Sequence, residues 1–188
     1  MLGIVSIFAT IQGEGRNCGK LSTFVRTSGC SIGCPQCDTD YRLRTRMSVE
    51  SVRQQIDALG ISLVWVTGGE PTDWKDVHLL PREGKEYWLA TAGVREIPAG
   101  KWLTYCSPHS KHIVYQKYTE VNLVPGLNGL TYKDCEEIAC KVQADMVYFT
   151  PLHGDESSLS ECKELLHKFC RERECRLGIQ AHKYWGVA

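Results

Sequence analysis

The chain carries eight short runs suited to β-strands but only three segments that would make a sound helix, and that imbalance restricts the architectures open to it. The runs cover residues 3–9, 22–27, 61–67, 86–91, 102–106, 117–124, 145–150 and 176–180. They are rich in Val, Ile, Tyr, Trp and Thr, and most end at Gly, Pro or a small polar residue. The first helix should follow Ser48 as N-cap, with Val49, Val52, Ile56 and Leu59 on one face and Gly60 as its stop. The second should follow Thr131, with Asp134 in the reciprocal capping position and Cys135, Ile138, Ala139 and Val142 inward. The third should open on a capping box at Ser158-Leu-Ser-Glu161 and bury Leu159, Cys162, Leu165, Leu166 and Phe169. Strands alternating with helices imply βαβ units and a mostly parallel sheet. A closed eight-fold barrel needs ~250 residues, more than the 188 present. The expected fold is therefore an α/β single domain over residues 1–188: an incomplete, TIM-type barrel of about six parallel core strands and about three principal helices, with ligands at the strands' carboxyl ends.

Lys and Arg total 22 against 22 Asp and Glu. That balance gives neither the basic footprint of a nucleic-acid binder nor a polybasic pull toward membrane. The longest uncharged stretch, residues 1–13, is shorter than the ~18 apolar residues a span requires and has no basic region ahead of it as in a signal peptide. The expectation is a soluble, cytoplasmic protein.

Ten cysteines are the anomaly. In a reducing compartment, surplus cysteine signals metal or cluster ligation, catalysis, or small buried hydrophobes. Cys30-Ser-Ile-Gly-Cys34-Pro-Gln-Cys37 is a C-x3-C-x2-C triplet directly after the first core strand, with Gly33 and Pro35 breaking regular structure. Three thiolates at this reach suit zinc or an iron–sulfur cluster. Structural zinc wants four ligands, and the fourth would be Cys18, Cys106 or a distant histidine. A four-iron cluster on three cysteines would leave one iron open. Cys18, Cys106, Cys135, Cys140, Cys162, Cys170 and Cys175 form no ligand pattern and read as small hydrophobes. Arg42-Leu-Arg-Thr-Arg46 reads as a solvated loop.

The triplet resembles the signature of radical S-adenosylmethionine (SAM) enzymes, in which SAM chelates the fourth iron and is cleaved to a 5′-deoxyadenosyl radical. Further segments narrow the likeness: Phe8-Ala-Thr-Ile-Gln-Gly-Glu-Gly15, Phe24-Val-Arg-Thr-Ser-Gly-Cys30, Cys37-Asp-Thr-Asp-Tyr41, Thr67-Gly-Gly-Glu-Pro71, Ser107-Pro108 and His182-Lys-Tyr-Trp-Gly-Val-Ala188. Together they resemble the 7-carboxy-7-deazaguanine synthases; the likeness is weak from residue 74 to 102. It implies conversion of 6-carboxy-5,6,7,8-tetrahydropterin to 7-carboxy-7-deazaguanine with loss of ammonia, a step toward queuosine. Runner-up readings are a radical-SAM activase that plants a glycyl radical on a partner protein, and a zinc-stapled binding module.

The same resemblance implies a 4Fe–4S cluster on Cys30, Cys34 and Cys37, Mg2+ on the hydroxyl of Thr39, and SAM contacts from Gln36, Cys37, Asp38 and Gly69. It further implies SAM contacts from Ser107, Pro108 and His109 and from Thr150, Pro151, Leu152 and His153. Three of these segments depart from the family pattern: His109 stands for a lysine, Thr150-Pro151 for Gln-Pro, and Ala90-Thr-Ala-Gly93 for Glu-Thr-Asn-Gly. The pterin would lie against Ile11, Gln12, Gly13 and Glu14, with Thr67 and His182 beside it. Arg26 would fork onto its carboxylate, a geometry lysine lacks. Ala188 would act through its main-chain carboxylate. The implied partners are this pterin, an electron donor (flavodoxin-like or chemical) and a second copy of the chain.

Overall fold

The computed structural model describes residues 1–35, 37, 39–42 and 44–187. Among these, nine strands make one sheet: β1 (Leu2–Ile11), β2 (Leu21–Thr27), β3 (Thr45–Met47), β4 (Leu63–Gly68), β5 (Glu86–Thr91), β6 (Leu103–Cys106), β7 (Lys117–Leu123), β8 (Gln143–Phe149) and β9 (Cys175–Leu177). Their order across the sheet is β3-β1-β2-β4-β5-β6-β7-β8-β9. From β2 to β9 every neighbouring pair is parallel, while β1 runs antiparallel to both β2 and β3. All eight expected runs are strands. The parallel ladder takes in β2 and β4 to β9, one more than expected, although β9 is only three residues long. Its expected extent, 176–180, is cut short because Gly178 passes tightly against the Thr150 side chain. β3 was not foreseen, since three residues are too few to display a period.

Alternation along the central strands sorts side chains between two faces. Val64, Val66 and Leu89 pack with Val52 and Ile56 of helix α1 (Val49–Ala58), whereas Trp65 and Trp88 point the other way into an aromatic layer with Tyr105. The Trp65 and Trp88 rings stack at 5.0 Å and 9°. Burial of each such side chain contributes about 1.5–3 kcal/mol or more. At the far end of the sheet, β7 and β8 bury Val121, Leu123, Val147 and Phe149 against α2 (Tyr132–Lys141) and α3 (Glu156–Phe169).

The helix ends follow local chemistry. Ser48 Oγ accepts the Ser51 N–H at 3.0 Å, and Gly60 past the other end of α1 has φ +68°. Thr131 and Asp134 form the reciprocal box expected at α2. α3 corrects the expectation: it starts at Glu156, capped by Asp155, which accepts the Ser157 and Ser158 N–H groups. Ser158 sits inside the helix instead, donating from Oγ to the Pro125 carbonyl at 2.7 Å and accepting the Leu152 N–H at 2.9 Å. A fourth helix, α4 (Ala181–Trp185), is one turn long and was not foreseen. None of the described helices is long and apolar enough to cross a membrane.

Thr131→Ala removes one half of the α2 box and exposes the other to competition from water. Urea unfolding should show a loss of about 1 kcal/mol at unchanged m-value; an unaltered midpoint would mean that tertiary packing alone holds that helix end.

Candidate active site

The carboxyl ends of β2, β4, β5, β6 and β7 open into one cavity of about 560 Å³. A second hollow, about 570 Å³, lies between residues at the amino ends of β5 and β6, including Lys85, Glu86 and Trp102. In parallel α/β sheets ligands gather at the carboxyl ends, and that is the end at which this chain collects Cys30, Cys34 and Cys37, Arg26 and Glu14.

Cys30, Cys34 and Cys37 all line the cavity. Burial, reinforced by the neighbouring Cys30 and Cys37 sulfurs, pushes the Cys34 thiol up. The chain around Cys30 is tethered by backbone and by one carboxylate. Gly69 N–H donates to the Thr27 carbonyl at 2.9 Å and Glu70 N–H to the Gly29 carbonyl at 3.2 Å. A Cβ on Gly69 would overlap the Gly29 carbonyl oxygen, so only glycine permits this approach. Asp73 accepts from Ser31 N–H at 2.8 Å and Ser31 Oγ at 2.9 Å, and is paired with Arg95 at 2.8 Å. On the opposite side of the thiols, His109 Nδ1 lies 2.9 Å from Cys34 Sγ.

The other wall is built for a planar polar ligand. Phe24, Trp65 and Tyr105 line it, with Trp65 and Tyr105 meeting edge-on at 5.5 Å. Tyr105 Oη donates to Glu14 at 2.9 Å, and Gln180 Nε2 approaches the other carboxylate oxygen at 3.4 Å. His182 Nδ1 stands 3.9 Å from the same oxygen as Gln180. Burial, with the Glu14 charge behind it, drives the Tyr105 hydroxyl well above its ordinary value, so it stays a donor. Beneath it, buried Glu120 is paired with Arg16; burial raises its carboxyl and the guanidinium opposes that. Arg26 lines the cavity with its guanidinium 5.0 Å from the Phe8 ring, and forms no ion pair among the described residues. Gly13 makes the wall continuous: a Cβ there would lie 2.6 Å from the His182 Cβ, and its carbonyl accepts the Ala181 N–H at 2.9 Å. That contact docks α4 onto the Gln12–Gly13–Glu14 turn.

A curated protein of Haemophilus influenzae named 7-carboxy-7-deazaguanine synthase is 32% identical to this chain, covering 98% of it and 93% of the relative. The chain belongs to the 7-carboxy-7-deazaguanine synthase family. A second member, from Neisseria meningitidis, is 28% identical over 98% of this chain and 93% of its own length. The crystal structure of QueE from Escherichia coli superposes with a TM-score of 0.73 at 22% identity, covering 96% of this chain and 94% of that one, which establishes a shared fold. No protein-family model matches the chain.

Of the residues that the synthase resemblance singled out, fifteen line the one cavity: Cys30, Cys34, Cys37, Thr39, Gly69, Ser107, His109, Leu152, Ile11, Gln12, Gly13, Glu14, Arg26, Thr67 and His182. Pro108, Thr150, Pro151 and His153 do not line it. Thr150 is buried with its hydroxyl on Asn122, and the exposed His153 meets the Tyr184 ring edge-on at 4.8 Å. Gln36, Asp38 and Ala188 lie outside the described residues. Sequence reasoning missed Tyr105, Trp65, Asn122, Gln180 and the Asp73 clamp. Strand alternation could have found the first two, because each precedes a motif residue by one or two places at a strand's end. Asp73 and Gln180 carry no such signal, since both depend on how loops distant in sequence meet.

Gly13→Ala forces the turn and α4 apart, with about 1–3 kcal/mol of overpacking to relieve. Trypsin should then cut at Lys183 about tenfold faster, matching ~1.4 kcal/mol of easier opening. An unchanged cleavage rate would show that α4 does not depend on this contact.

Proposed function

We propose that the chain is a radical SAM synthase converting 6-carboxy-5,6,7,8-tetrahydropterin to 7-carboxy-7-deazaguanine with loss of ammonia. The observation that carries the reading is one cavity holding three thiols on one wall and, on the other, a guanidinium with no ion pair among the described residues and a carboxylate around an aromatic layer. The family to which the chain belongs bears the name of this reaction.

The donor set fits a 4Fe–4S cluster on Cys30, Cys34 and Cys37. Among the described residues no three His, Cys, Asp or Glu side chains are gathered closely enough to hold one metal ion. A cluster takes each thiolate at a different corner and leaves one iron open, which suits three neighbouring cysteines lining one cavity large enough for a ligand beside them. With SAM bound, such a cluster supplies the electron that yields a 5′-deoxyadenosyl radical able to take a hydrogen from the substrate.

The protein's own part is binding, orientation and exclusion of water. Gly69, pressed against Gly29, borders the space beside the thiols that would take the amino group of SAM, and Ser107, His109 and Leu152 border the same space. Arg26 forks onto the pterin's carboxylate. Gln12 and Glu14 match the donor–acceptor edge of the ring, with Glu14 aimed by Tyr105, Gln180 and His182. Phe24 and Trp65 cover a ring face and keep water out. Thr39 supplies a protein oxygen to Mg2+, which holds several waters and needs few protein ligands.

The finer architectural reading is an incomplete TIM-type barrel forming one domain, supported by the unbroken parallel ladder from β2 to β9 and by a single sheet joining both halves of the chain. Work in a reducing cytoplasm suits ten cysteines of which none is joined in a disulfide. An electron donor of flavodoxin type and pairing of two copies follow from the family resemblance.

The deciding experiment is anaerobic incubation of the iron-reconstituted protein with SAM, Mg2+, reductant and the carboxytetrahydropterin, following the deazaguanine product by mass. Absence of product with a full cluster would reject the reaction. Replacing Cys30, Cys34 and Cys37 together by Ala should remove bound iron and the absorbance near 400 nm; retained iron would reject the ligand assignment. Thr39→Ala should abolish activation by Mg2+ while iron content stays at the wild-type level, and activation that persisted would reject Thr39 as the ligand.

A further inference from the structure

His109 follows the Ser107-Pro108 turn beyond β6, and Asn128 sits in a short 3-10 turn (Leu127–Gly129) beyond β7. Their side chains meet each other and the cluster loop at one atom. His109 Nδ1 is 2.9 Å from Cys34 Sγ and 3.1 Å from the amide of Asn128. Asn128 has φ +51°, the one positive value recorded for a non-glycine among the described residues. Asn is among the few non-glycine residues that take this conformation readily, and here it turns the side chain toward His109. The Asn128 Oδ1 is buried with no hydrogen-bond partner among the described residues.

A ring nitrogen has one in-plane site, either a lone pair or an N–H. Once Cys34 is a thiolate ligand it can only accept, so Nδ1 must carry the proton. The amide facing it must then present oxygen, which a half-turn about χ2 achieves because the two amide atoms exchange places. That turn lets the orphaned Oδ1 share the single Nδ1–H with the sulfur, a three-centre arrangement that fixes the ring's tautomer. The roles are thus ordered: Asn128 orients His109, and His109 addresses the sulfur.

We propose that His109, oriented by Asn128, donates its Nδ1–H to the Sγ of Cys34 and thereby raises the reduction potential of the cluster that Cys34 helps to hold. This rests on the cluster reading above. Reduction adds negative charge that is shared with the ligating sulfurs, so a donor aimed at one of them stabilises the reduced state more than the oxidised one. His109 and Asn128 are positioning residues here; neither touches the reacting atoms of the substrate.

The test is a mediated potentiometric titration of the anaerobically reconstituted protein, without SAM or pterin, following the reduced cluster by electron paramagnetic resonance and counting iron and sulfide. His109→Phe keeps a ring but removes the donor, and should lower the midpoint by about 59 mV, a tenfold shift in the one-electron equilibrium. His109→Asn sets an amide N–H near the place of Nδ1 and should recover most of that loss. Asn128→Gly suits the left-handed backbone better than the native residue, so it leaves the turn intact; it removes both the orienting contact and the second acceptor of the Nδ1–H, and the midpoint should move measurably from the wild-type value. An unchanged midpoint in His109→Phe with full iron content overturns the proposal. Should His109→Phe fail to hold iron, Asn128→Gly decides, and an unshifted midpoint there overturns it equally. Failure of the wild-type protein to take up any cluster would instead overturn the functional reading itself, and is seen before any variant is compared.

Discussion

The cavity hangs on the junction where β2 and β4 run out side by side. Thr27 and Gly68 are the last pair of that parallel ladder, and Thr27 Oγ1 donates to the Thr67 carbonyl at 3.0 Å. Just beyond, the backbone of Gly69 presses on that of Gly29 with no space for a side chain on the former. Backbone packed on backbone is stiffer than any contact between side chains, and this one sets the height of the cysteine segment above the sheet. Glu70 extends the junction sideways. Buried to 1% exposure, it accepts from the Thr72 N–H and hydroxyl, from Thr91 Oγ1 and from the Ala92 N–H. A carboxylate with four donors is fully compensated for its burial. It binds the exits of β4 and β5 into one unit with the cysteine loop.

From that junction the two walls of the site acquire different chemistry. The loop after β2 brings thiols, tied down by Asp73 from the segment after β4. The first turn of the chain brings Gln12 and Glu14, tied down by Tyr105 from β6 and by Gln180 and α4 after β9. Residues from both ends of the chain therefore close one pocket, which a parallel ladder with its strand ends facing the same way makes possible. The aromatic layer of Phe24, Trp65, Trp88 and Tyr105 forms the floor between them, on the sheet face opposite α1.

Much of this could be read from sequence. Every parallel strand but β9 is long enough for its hydrophobic run to show, and Ser48 and the Thr131–Asp134 box mark two helix starts through hydrogen bonds that span three residues. The third start was misplaced because Asp155 and Ser158 both carry capping side chains, and the choice between them was made by Pro125, whose carbonyl claims the Ser158 hydroxyl. α4 and β3 were invisible for a related reason: each is one turn or three residues long and is held by a distant partner, Gly13 in one case and β1 in the other. Propensity has nothing to act on at that length.

Composition, strand periodicity and the Cys30–Cys34–Cys37 spacing suffice to name an α/β chain with a three-cysteine loop after its first parallel strand, because each is written in neighbouring residues. Which polar groups then meet is another matter. Nothing in the sequence pairs Glu14 with Tyr105, 91 positions away, or sets His109 between Cys34 and Asn128. Those encounters are decided by the parallel register, which delivers the ends of successive strands to one rim whatever lies between them along the chain.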